Sequence, residues 1–145
     1  MKRTISAYTT VRSAMEMDYP FRESINSMLQ FADEVVVLDS TDRVDGDGTT
    51  EALEQMAKDD PRIHHEQVVL DWKAPNHGSL DGQAKAMSRA KCSGDFLWQF
   101  DTDEIMHETH APMVQELIAK IDWSQTQLVA LPVVEFWGHT GKVRI

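Results

Sequence analysis

With 145 residues, the chain has enough sequence for a single domain with a buried core and too little for two ordinary domains, so one domain spanning residues 1–145 is expected. Hydrophobic residues make up 41% and charged residues 26%, no window is apolar enough to cross a bilayer, and the Met1-Lys-Arg start lacks the apolar stretch of a signal peptide. A cytoplasmic setting with no membrane segment follows as the expectation, and the single cysteine, Cys92, leaves stability to packing rather than disulfides. The net charge of −10 argues against nucleic acid as a partner, because binding a polyanion needs clustered Lys and Arg.

In chain order, Thr4-Ile-Ser-Ala-Tyr-Thr9 reads as a first strand, and residues 21–31 as a helix with Phe21, Ile25, Met28, Leu29 and Phe31 on one stripe. Glu34-Val-Val-Val-Leu-Asp39 is a β-branched run of the kind found in a strand covered on both faces. A polar loop follows, and Thr49 or Thr50 is expected to cap a helix carrying Ala52, Leu53, Met56 and Ala57. Residues 63–70 give a third strand, residues 71–79 a loop, and residues 80–90 a helix of small residues ended by Gly94. Phe96-Leu-Trp-Gln-Phe100 is a fourth strand running into Asp101-Thr-Asp-Glu104. A helix over residues 112–121 and a fifth strand, Leu128-Val-Ala-Leu-Pro-Val-Val134, complete the order, with Pro132 marking that strand as an edge or a bulge. Alternating strands and helices predict an α/β sandwich with a mostly parallel sheet, whose ligands bind beyond the carboxyl ends of the strands.

The negative charge is concentrated in two zones. Between Asp33 and Asp60 ten acids meet only Arg43 and Lys58, and from Asp95 to Glu116 six acids meet no base. Each zone contains a strand end, at Asp39 and at Asp101. Asp101-Thr102-Asp103 puts two carboxylates two residues apart where the chain leaves its pleat. Hard oxygen donors of this kind suit Mg²⁺ or Mn²⁺, which share their shell with phosphates; an acidic turn capping the next helix is the other reading. Asp39 could accept hydrogen bonds from a base or ribose, whereas Asp42, Asp45 and Asp47 miss the EF-hand calcium spacing and read as a polar turn. His107-Glu-Thr-His110 is one residue short of the His-Glu-x-x-His zinc spacing and reads as loop and cap. Trp72 and Trp137 flank loops at the expected ligand face.

Over nearly its whole length the chain resembles the nucleotide-binding half of a GT-A glycosyltransferase of the family 2 type. The likeness rests on the Thr-rich exit of the first strand, Glu23-Ser-Ile-Asn-Ser27, Asp33-Glu-Val-Val-Val-Leu-Asp-Ser-Thr-Asp42, Gly48-Thr-Thr-Glu51, Gly82-Gln-Ala-Lys-Ala-Met87 and Ser93-Gly-Asp-Phe-Leu-Trp-Gln-Phe-Asp-Thr-Asp-Glu104. It implies a Rossmann-like GT-A sandwich, truncated on the C-terminal acceptor side, that moves a sugar from a UDP- or GDP-type donor to an unknown acceptor with Mn²⁺ or Mg²⁺. Thr9 and Asp39 would hold the base and ribose, Lys85 would meet a phosphate, Asp101 would sit by ribose and metal, and Asp103 would bind the ion directly. His139 could add a nitrogen ligand, as a late histidine does in related enzymes. Inverting members take their general base from beyond the fifth strand, where this chain offers only Glu135, a strand-end carboxylate. Two other readings stand beside this one. The first is a nucleotide-sugar-binding module without turnover. The second is a haloacid dehalogenase-type phosphohydrolase, whose first motif is also an apolar strand followed by Asp-x-Asp. A dimer surface is expected around Phe136, Trp137 and the fifth strand if the sheet edge there is uncovered.

Overall fold

The structure is a computed structural model that describes residues 3–41, 46–73, 77–137 and 139–143, without the side chains of residues 77, 78, 137, 139 and 140. Its elements in chain order are β1 (Ile5–Val11), α1 (Phe21–Met28), β2 (Glu34–Asp39), α2 (Thr49–Asp59), β3 (Ile63–Gln67), α3 (His77–Arg89), β4 (Phe96–Gln99), α4 (Met113–Lys120), β5 (Phe136–Trp137) and β6 (His139–Val143). Strands β3, β2, β1 and β4 form, in that order, an all-parallel sheet, with Val11 opposite Asp39 and Tyr8 opposite Gln99. This is the expected α/β architecture.

The period-2 alternation of the strands sorts their residues onto two faces. Ile5, Ala7 and Val11 of β1 and Val35 and Val37 of β2 pack with Phe21, Ile25 and Met28 of α1, Leu53 of α2 and Val114 of α4 in one buried cluster. The opposite face carries α3. There the Ser88 hydroxyl donates to the carbonyls of Thr9 and Val36, and Ala84 is fully buried. Helices therefore cover both faces of the central strands, which explains why β2 tolerates the continuous run Val35–Leu38 without an exposed side.

Acidic side chains tie the strands' entry ends together. The Asp33 carboxylate accepts from the Ile5 amide at 3.0 Å, Asp95 accepts from the Thr4 amide at 2.9 Å, and Glu34 accepts from the Ser93 amide and the Ser6 hydroxyl. Gly94 lies against this junction. A Cβ there would sit 2.6 Å from Ser6 Oγ and 2.7 Å from the Ser6 nitrogen, closer than any side chain can approach. Gly94→Ala is expected to lower stability by about 2 kcal/mol through overpacking, read as a lower urea midpoint with unchanged slope.

Three expectations are corrected. Residues 128–134 form no strand. Leu128 is 85% exposed and Val133 and Val134 are each 59% exposed, so none of the described residues pairs with or covers the run, and Pro132 lacks a ladder donor in its middle. Among the described residues the sheet thus has four strands, while β5 and β6 pair antiparallel as a separate hairpin. Second, the helix start at α2 is capped by neither Thr49 nor Thr50. Gly48, at φ +91°, is the residue before the helix, and Asp47 Oδ1 accepts from the Thr49 amide at 3.0 Å. Third, β1 runs two residues past Thr9, to Val11.

Candidate functional site

A cavity of about 320 Å³ opens at the carboxyl ends of β1 and β4. Strand order reverses between these two strands, since β2 and β3 continue on the other side of β1, so the cavity sits where open α/β sheets place their ligands. Its wall includes Arg12, Ser40, Trp72, Lys85, Asp101 and Asp103.

Consecutive residues line it at both strand ends, Thr10, Val11 and Arg12 after β1 and Asp101, Thr102 and Asp103 after β4. Tyr8, Thr10 and Arg12 alternate with the core-facing residues of β1, Ser40 continues the parity of Val36 and Leu38, and Asp101 continues that of Leu97 and Gln99, all on the side covered by α3. That helix adds Asp81 and Lys85 one turn apart. Thr9 and Asp39 are not part of that wall. Thr9 shares the face of Ile5, Ala7 and Val11, is fully buried, and its hydroxyl has no hydrogen-bond partner among the described residues. Asp39 shares the face of Val35 and Val37, is likewise fully buried, and does not line the cavity.

Asp39 serves as a junction between elements. Its carboxylate accepts from the Thr41 amide at 2.8 Å and the Thr50 hydroxyl at 2.6 Å, and lies 3.4 Å from His65 Nε2, joining β2 to α2 and β3. Burial by itself would raise its pKa, but the hydrogen bonds from His65, Thr41 and Thr50 outweigh that and hold the carboxyl below the usual carboxylate range. Asp47, expected in a loose turn, bridges loops instead, accepting from the Glu16 amide at 2.6 Å as well as from Thr49. The described part of the first acidic zone thus holds backbone in place. Asp42 and Asp45 lie outside the described residues.

The second zone borders the cavity. Lys85 Nζ lies 3.0 Å from Asp101 Oδ1 and 3.2 Å from Asp81 Oδ2. Partial burial would lower the lysine pKa, yet the hydrogen bonds to Asp101 and Asp81 prevail and hold it above the usual lysine range. The loop after β4 is fixed through its backbone. Glu104 Oε2 accepts from the Asp101 amide at 3.1 Å, and the Ser24 hydroxyl of α1 lies 3.2 Å from the Asp101 carbonyl and 2.6 Å from that of Glu104. Asp103 is exposed on the cavity wall and makes no hydrogen bond or ion pair among the described residues. Also in the wall, the Arg12 guanidinium stacks on the Trp72 ring, 4.8 Å from its centroid. The Trp72 indole nitrogen is buried and has no partner among the described residues.

The structure therefore brings together Lys85, Asp101, Asp103 and Trp72 of the residues singled out in the sequence, and adds Arg12, Ser40, Tyr19 and Asp81. The added residues carried a usable signal in strand parity and in the i,i+4 spacing of Asp81 and Lys85. Glu135 is exposed, directly precedes β5 and is not among the lining residues. The side chains of His139 and Trp137 lie outside the described residues. Among the described residues no three His, Cys, Asp or Glu side chains gather as a metal-holding group, and no helix is long and apolar enough to cross a membrane. The donors at hand are one or two carboxylates beside open space. Such a set fits an ion that takes most of its shell from phosphate and water, as Mg²⁺ and Mn²⁺ do.

No protein-family model and no curated protein matches the chain. Solved structures do. Residues 1–349 of S. aureus TarS match with a TM-score of 0.61 at 16% identity, over 81% of this chain and 32% of that one. The same protein in complex with UDP-GlcNAc matches with a TM-score of 0.59 at 15% identity, over 81% and 31%. In complex with UDP the values are 0.55 and 18%, over 78% and 32%. The chain spans about a third of the length of TarS 1–349. TarS is a GT-A glycosyltransferase resembling family 2, and at this identity the likeness establishes the fold: the chain has the Rossmann-like α/β fold of a GT-A glycosyltransferase, over part of that fold's length.

Proposed function

We propose that this chain binds the nucleoside diphosphate sugar, of UDP or GDP type, in a metal-dependent glycosyl transfer. One observation carries the reading: three carboxylates, Asp81, Asp101 and Asp103, and two cationic side chains, Arg12 and Lys85, line one cavity at the switch point of the parallel sheet. TarS, which shares the fold, has been crystallised with UDP-GlcNAc and with UDP, and this supports a nucleotide-sugar ligand.

The chemistry follows from where charge develops. As the bond between the sugar and the diphosphate breaks, its electron pair moves onto the departing nucleotide, and groups that stabilise this negative charge lower the barrier. Asp101 and Asp103 would hold a divalent ion, whose contribution when bound is to neutralise the diphosphate as it leaves. Lys85 and Arg12 add positive charge to the same wall. Arg12 is stacked on Trp72, so less side-chain freedom is lost on meeting a ligand. No residue is assigned as general base, since Glu135 stands outside the cavity wall.

Calorimetric titration with UDP, GDP and their sugars tests the proposal. Binding of one nucleotide series that requires Mn²⁺ or Mg²⁺ and vanishes with chelator is the expected result. Failure of every nucleotide to bind, or binding indifferent to chelator, overturns it. Nucleotide binding with neither sugar transfer nor slow donor hydrolysis would assign the chain as a binding module.

A further inference from the structure

The position of Lys85 implies more than an anion contact. Its ammonium is 3.0 Å from Asp101 Oδ1, on the cavity side of the same carboxylate that is proposed to meet the divalent ion, and its side chain is only 22% exposed. Asp81, one helical turn earlier, holds the same ammonium at 3.2 Å. A cation coordinated by Asp101 would lie about 2.1 Å from the carboxylate oxygen, which leaves it and an unmoved ammonium within about 5 Å of each other. Two positive groups so close on one carboxylate compete.

We propose that Lys85 is a built-in counter-ion, neutralising Asp101 in the ligand-free protein and giving it up when a divalent ion binds, so that the ammonium is passed to the diphosphate. This rests on the nucleotide-sugar reading above. Asp81 makes the exchange local. Tethered there, Lys85 can leave Asp101 without leaving the cavity. The ion alone must displace the lysine with nothing to receive it, whereas a diphosphate offers the ammonium a new partner. Ion and nucleotide are therefore expected to raise each other's affinity, by equal factors, because binding linkage is reciprocal.

The test measures Mn²⁺ affinity from the free-ion electron paramagnetic resonance signal, with and without UDP, in the wild type, Lys85→Met and Lys85→Arg. Lys58→Met, in the last turn of α2, sets the effect of removing a lysine charge elsewhere. Without UDP, Lys85→Met is expected to bind Mn²⁺ about tenfold more tightly, the size of the repulsion between a divalent ion and an ammonium about 5 Å apart in water. Lys85→Arg, still able to pair with Asp101, should remain near the wild type. With UDP the order should reverse, so that the enhancement of Mn²⁺ affinity by nucleotide shrinks in Lys85→Met. Unchanged or weaker Mn²⁺ binding by Lys85→Met in the absence of UDP, or an increase no larger than that of Lys58→Met, overturns the proposal. If UDP binds to none of the proteins, the nucleotide-sugar reading fails, while the Mn²⁺ measurement without UDP still decides whether Lys85 competes for Asp101.

Discussion

Asp103→Ala is expected to weaken Mn²⁺-dependent UDP binding at least about a hundredfold, equivalent to about 2.7 kcal/mol, while leaving the folded state intact. The two halves of this expectation have separate causes. Asp103 is exposed and makes no hydrogen bond or ion pair among the described residues, so its removal takes away no contact that supports the loop. Its charge, by contrast, faces the cavity directly and is not already neutralised, unlike that of Asp101, which Lys85 partners. Calorimetry with and without chelator, together with far-UV circular dichroism, separates the effects. Binding of UDP to Asp103→Ala at wild-type strength would remove this carboxylate from the proposed site.

Asp39→Ala should show the opposite profile, with a loss of about 3 kcal/mol in stability, because the Thr41 amide and the Thr50 hydroxyl are left as buried donors without their acceptor. The same carboxylate sets a pH dependence. Its folded pKa is depressed below the unfolded value of about 3.9. Between those two values the unfolded chain binds more protons, so the stabilisation is complete above the unfolded pKa and is lost as pH falls through the folded one. Asp39→Asn keeps the shape without the charge. Its urea midpoint should therefore vary less than the wild type's below about pH 4. Equal acid sensitivity of the two proteins would assign the transition to other carboxylates, such as Asp47, whose pKa is also depressed.

The order of helices and strands could be read from residue patterns because it depends on local periodicity. The β-branched run of β2 and the stripe of α1 each encode one element without help from distant chain. The failed strand at residues 128–134 shows the limit. Leu, Val and Ala supply strand propensity, but a strand exists only with a ladder partner, and the partner is a long-range fact. The site divides in the same way. Asp101 and Asp103 were legible because an apolar strand runs directly into them. A strand end fixes where a residue lies along the sheet and not which face it takes, and Thr9 and Asp39 are both buried on the side of the core. The extra two residues of β1, Thr10 and Val11, line the cavity together with Arg12, while Thr9 before them is fully buried. Charge density is equally ambiguous. The acids around Asp39 and Asp47 accept backbone and hydroxyl hydrogens, a use of negative charge that composition does not distinguish from ligand binding.

The serines of α1 give the loop after β4 an unusual independence. Ser24 lies within hydrogen-bonding reach of the carbonyls of Asp101 and Glu104, and the Ser27 hydroxyl accepts from the Met106 amide at 2.9 Å. The loop's path is thus written by a neighbouring helix and by the Glu104 carboxylate, both acting on main-chain atoms of residues 101, 104 and 106. Side chains at 101 and 103 can vary without redirecting the chain that carries them. The consequence is a separation of form from chemistry: new ligands could be grafted at these two positions onto an unchanged track, provided Ser24 and Ser27 are kept.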